Sequence, residues 1–150
     1  MTRRQYIRLA ARVFGAPVLL ASHRCLGSLK EEFAVIVHPS NRFDALSRSK
    51  VNYLFLRKVS RWPWGAEVAP ADLAANEPVR RKFLEQVLRV NEEQLAAYWI
   101  DQRAARGIGP PVEVRDAAAA KLWVAARAGG IAYIPSSALD GTVKAIRVEP

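Results

Sequence analysis

The sequence predicts an α/β fold, a small central β-sheet flanked by helices, and three observations predict it. Phe33–Val37 (FAVIV) is a continuous β-branched apolar run of the kind that forms a strand buried on both faces. Val79, Phe83, Leu84, Val87 and Leu88 recur at helical spacing and mark a helix with one core-facing stripe. Residues 131–135 (IAYIP) and 143–148 (VKAIRV) are two further strand-like runs that follow the last helical segment. Helices alternating with short strands pack as layers on a sheet.

At 150 residues the chain is one domain by length, and 51% hydrophobic with 25% charged residues excludes a disordered chain. The net charge of +9 first suggests nucleic acid as a partner. Location removes that inference. Residues 1–28 hold five arginines and no acid, which leaves 18 basic and 14 acidic groups in residues 29–150. Those groups are interspersed, without a basic run or interleaved stacking aromatics, so no nucleic-acid partner is expected.

Residues 1–28 read as an export leader, with the folded unit at 29–150. Thr2-Arg3-Arg4-Gln5-Tyr6-Ile7-Arg8 resembles the twin-arginine signal, and the apolar run at 13–21 is too short to span a bilayer. A periplasmic location is therefore expected, with no stable membrane span and cleavage near Gly27 or Ser28; the alternative is a basic first helix of a cytoplasmic protein. Cys25, the lone cysteine, falls in this leader and forms no internal disulfide.

His38-Pro39-Ser40-Asn41 stops the first strand, since Pro39 removes a ladder donor and Ser and Asn side chains bond to turn backbone. Asp44 or Ser47 caps the next helix, whose core face is Leu46, Val51, Leu54 and Phe55. Trp62-Pro63-Trp64-Gly65 has the composition of a type I turn. A weak strand at 67–70 precedes a helix begun by Asn76 or Glu77 with Pro78 in its first turn. Asn91 with Gln94 is a capping box for the following helix, which buries Leu95, Tyr98 and Trp99 and breaks at 107–111. A final alanine-rich helix at 116–128 is expected to close at Gly129-Gly130.

Taken in order, these segments resemble the second lobe of phosphate ABC transporter substrate-binding proteins, of the type 2 periplasmic-binding-protein fold. The resemblance rests on Pro39 and Asn41, Leu46-Ser47, Leu54-Phe55 with Lys58, Trp62, Gly65 and Pro70, Phe83, and Gly129-Gly130-Ile131-Ala132-Tyr133-Ile134. It implies one lobe of a two-lobed clamshell, binding without catalysis, and a small phosphate-like anion as ligand. The family meets phosphate with an arginine and a hydroxyl-rich turn at a helix N-terminus. Here the matching stretch at 72–78 places Asp72 near the arginine's position and Asn-Glu-Pro in the turn, so the family's anion motif is not retained. Arg57 stands where the family has a glycine, and a left-handed helix end there would be strained.

The resulting candidate ligand residues are His38, Ser40, Asn41 and Asn76, expected to lie near one another. Trp62 and Trp64 are the candidate contact surface. No catalytic residue, metal set or cofactor fingerprint is present: the sequence holds no G-x-S-x-G, P-loop or dinucleotide motif, and His23, His38 and Cys25 are too scattered to share a metal. Two functions follow as expectations. One is an exported, non-catalytic solute-binding-protein-like module accessory to phosphate or anion uptake. The other is a structural or interaction protein that self-associates as a homodimer or docks on a partner protein through the exposed lobe face.

Overall fold

The computed structural model describes residues 32–150; the segment expected to be a leader, with its twin-arginine-like stretch, His23 and Cys25, lies outside the described residues. These residues form a six-stranded sheet ordered β2-β6-β1-β5-β3-β4. The strands are β1 (Phe33–Val37), β2 (Ala45–Ser47), β3 (Ala69–Leu73), β4 (Val112–Val114), β5 (Gly130–Pro135) and β6 (Lys144–Glu149). The helices are α1 (Arg48–Phe55), α2 (Pro78–Phe83), α3 (Glu92–Arg106) and α4 (Ala117–Ala125). The α/β layout with flanking helices is the expected one.

β1 lies at the centre, antiparallel to β5 and β6, with Val35 opposite both Tyr133 and Ile146. Its last three residues and Ile131, Ala132, Tyr133 and Ile134 of β5 are buried, as continuous apolar runs in the middle of a covered sheet should be. Alternation along β5 assigns the layers. Tyr133 faces Phe55 of α1 and Phe83 of α2, while Gly130, of opposite parity, lies against Val124 of α4. Helices therefore cover both faces.

Ser47 caps α1 by accepting from Lys50 N at 3.3 Å, and Asp44 instead pairs with Lys144 Nζ at 2.6 Å. Between them Ala45–Ser47 forms an edge strand on β6 that composition did not reveal. The stripe of α2 continues through a wider π-helical turn, Leu84–Leu88, which keeps Leu84, Val87 and Leu88 all buried. Asn52 of α1 donates to the carbonyls of Val87 and Leu88 at 3.4 and 3.2 Å, satisfying groups that the helix end would orphan. Asn91 and Gln94 make the reciprocal capping box of α3.

Three boundaries differ from the sequence reading. β3 begins at Ala69 and runs to Leu73, so Asp72 is a strand residue, held between β5 and β4. β4 is a second unforeseen edge strand. α4 ends at Ala125, four residues before Gly129, with Ala126 at the cap position. The glycine pair serves close packing instead: a Cβ on Gly129 would lie 1.7 Å from the Glu67 carbonyl oxygen. Arg57 does adopt the left-handed conformation, with φ 53°. An L-residue there costs about 1–2 kcal/mol relative to glycine.

Candidate functional site

β3 delivers Asp72 to the turn that enters α2, and α2 turns Arg80 inward at its third residue, so the two side chains meet. Arg80 Nη1 lies 2.5 Å from Asp72 Oδ2 and donates to the Leu73 carbonyl at 2.6 Å. Its Nε and Nη2 donate to the two carboxylate oxygens of Glu92, at the start of α3, at 2.6 and 3.0 Å. Tyr133 of β5 donates its hydroxyl to Asp72 and accepts from Leu73 N at 3.4 Å. Arg80 is 8% exposed and every side-chain nitrogen is engaged.

The electrostatics follow from burial. Desolvation pushes the Asp72 carboxyl above its ordinary value, although Arg80 and the Tyr133 hydroxyl pull it down. The neighbouring Glu92 charge adds to the effect of burial. Desolvation alone would lower the Arg80 guanidinium, but Glu92 and Asp72 together hold it above its usual range. The Tyr133 phenol is pushed far up by burial and by the Asp72 charge, and so stays a neutral donor. Two carboxylates and one guanidinium leave this end of the sheet with formal charge −1 when ionised.

The sequence-predicted residues do not share a site. His38, Ser40 and Asn41 follow the C-terminal end of β1, whereas Asn76 follows the C-terminal end of β3. β1 runs antiparallel to β5 and β3 parallel to it, so these two C-terminal ends lie at opposite ends of the sheet along the strand direction. His38 Nδ1 is 2.7 Å from Ser40 Oγ and accepts from Ser40 N at 3.1 Å, a local turn arrangement. Asn41 is 3% exposed, its Oδ1 accepts from Phe43 N at 2.9 Å, and Lys144 Nζ donates to its carbonyl at 3.1 Å. Asn76 is exposed in the turn before α2, and Glu77 occupies the cap position without a side-chain cap bond.

The tryptophans are likewise packed rather than presented. Trp62 is buried, donates Nε1 to the Gly129 carbonyl at 3.0 Å and stacks on Trp64 with centroids 5.1 Å apart. Trp64 is half-buried beneath Arg42, with Phe43 against both rings. Trp62 is thus a core residue, corrected from the contact surface expected of it. Sequence reading missed Arg80, Glu92 and Tyr133. The available signal was an arginine directly after the buried Val79 in the apolar stripe of α2.

Among the described residues no group of three or more metal-ligating side chains converges, and no helix is long and apolar enough to cross a membrane. Comparison with family models and with curated proteins gives no match. Solved structures do match. An ABC-type phosphate transport receptor from Vibrio cholerae superposes with TM-score 0.60 at 18% identity, over 76% of this chain and 44% of that one. A phosphate ABC transporter substrate-binding protein from Clostridium perfringens, solved with bound phosphate, gives TM-score 0.60 and 18% identity over 77% and 44%. PstS from Borrelia burgdorferi gives 0.58 and 10% over 77% and 46%. The fold is therefore that of part of a phosphate-receptor protein, and the chain spans less than half the length of these neighbours.

Proposed function

We propose that the chain is an exported, non-catalytic module of the solute-binding-protein type, accessory to uptake of phosphate or a related anion and not itself the phosphate trap. The fold supports the first part, because structurally similar chains are phosphate receptors. The Arg80 network carries the second. A receptor of this kind needs an unengaged cation or a row of free N–H and hydroxyl donors at the anion position. At the β3–α2 turn the arginine is consumed by Asp72, Glu92 and the Leu73 carbonyl, and an entering phosphate would meet two carboxylates. Isothermal titration of the full chain with inorganic phosphate is expected to give no heat of binding in the micromolar range; micromolar binding by a monomer would overturn the reading. Export is tested separately by changing Arg3 and Arg4 to Lys, which should abolish periplasmic delivery.

A second reading, pairing with another copy or a partner chain, is favoured by Ile100 on α3 and Leu122 on α4, which are 70% and 73% exposed. Light scattering that finds a strict monomer at high concentration would remove self-association.

A further inference from the structure

The geometry points to a binding site for a small organic anion, an acidic group on an apolar body, in the notch between the start of β3 and the turn that leads into β4. This notch lies at the start of β3, whereas the Arg80 network lies at its end, and the two share no side chain. It encloses about 490 Å³. It exists because β4 pairs with β3 only from Ala71, opposite Val112, while Pro110 and Pro111 have no N–H with which to extend the ladder beside Ala69 and Pro70. Val68, Val112 and the prolines supply the apolar part of its wall, and Arg57 and Arg127 are among the residues that line it.

Both guanidiniums are held in place by backbone. Arg57 Nη1 donates to the Gly109 carbonyl at 3.1 Å. Arg127 Nη1 donates to the Trp123 carbonyl at 3.2 Å, and its Cζ lies 3.4 Å from the Trp123 ring centroid. Trp123 is itself tied to β3 through Nε1 to the Ala69 carbonyl at 3.2 Å. Neither arginine has a carboxylate partner among the described residues. Glu67, the acid on the lining, leaves the notch net positive. Fixed guanidiniums with N–H groups to spare are what bidentate recognition of carboxylate or phosphoryl oxygens requires.

Arg57 also follows the end of α1. The residue is exposed and left-handed, a conformation that glycine would adopt without strain. Its conformation closes the helix, with Lys58 N donating to the Tyr53 carbonyl at 2.9 Å and Arg57 N to the Leu54 carbonyl at 3.2 Å, and it sends the side chain to Gly109 beside the notch.

The test is a titration of ¹⁵N-labelled full-length protein with p-nitrophenyl phosphate, with inorganic phosphate and neutral p-nitrobenzyl alcohol as controls. Saturable shifts of the Trp123 indole and the Arg57 and Arg127 Nε signals are expected, with half-saturation near or below about 1 mM. Arg57→Gly should melt no lower than the parent yet bind about tenfold more weakly, and Arg127→Gln should lose a similar factor. Absence of saturation, or undiminished binding by both variants, would overturn the site. Inorganic phosphate or p-nitrobenzyl alcohol binding as tightly as the ester would overturn the assignment to an organic anion.

Discussion

Arg80 is expected to be far more costly to remove than any exposed arginine. Arg80→Met leaves the Asp72 carboxylate enclosed with only the Tyr133 hydroxyl, and strips the Leu73 carbonyl of its side-chain donor. Losing one partner of a buried pair costs about 3–5 kcal/mol. The predicted signature is a urea midpoint lowered accordingly at unchanged slope. Asp72→Asn should cost less than half as much, because burial already opposes the Asp72 charge and Arg80 keeps both bonds to Glu92. Equal losses in the two variants would contradict the view that Arg80 is the hub. The network was only half legible in the sequence. Asp72 stood out as an acid in an expected cationic position. Its partner is eight residues further on, beyond a turn, and no short spacing announces such a contact.

At the scale of elements, the decisive contact is between the β5 entry and the loop before β3. Gly129 accepts from Trp62 Nε1 and from Ala69 N through its carbonyl, and its Cα sits against the Glu67 backbone. Gly129→Ala must push apart two backbone segments that both feed central strands. A cost of about 3 kcal/mol or more is predicted, seen as a lowered denaturation midpoint together with a changed Trp62 fluorescence environment. The helices and the strands β1, β5 and β6 were legible because each has enough residues to display its own periodicity. β2 and β4 were not, at three residues apiece, since neighbours rather than composition make them strands. The extent of β3 was hidden for the same reason, with a proline and two alanines among its five residues. The separation of His38–Asn41 from Asn76 was also invisible: it depends on strand direction, which no local pattern encodes.

Across the whole molecule, carboxylates shifted in opposite senses set a pH profile. Lys121 and Thr142 hold the Asp140 carboxyl well below its ordinary value of 3.8, and Lys144 lowers that of Asp44. For a depressed group the folded state binds its proton more weakly, so its stabilisation is present above pH 3.8 and lost as pH falls through the folded value. Asp72 works the other way. Burial raises it, the folded state holds the proton more tightly, and stability declines as pH rises from 3.8 through the folded value. The two trends together predict a stability maximum on the acid side of neutrality. Melting temperatures between about pH 2.5 and pH 7 should show it, with each arm assignable to its own residue. Asp140→Asn should flatten the rise below pH 3.8, and Asp72→Asn should flatten the decline above it. A profile that climbs monotonically to pH 7 and is unchanged by Asp72→Asn would mean that Arg80 outweighs burial. The β3–α2 end of the lobe would then hold a fully ionised Asp72 beside Glu92, a still poorer place for a phosphate.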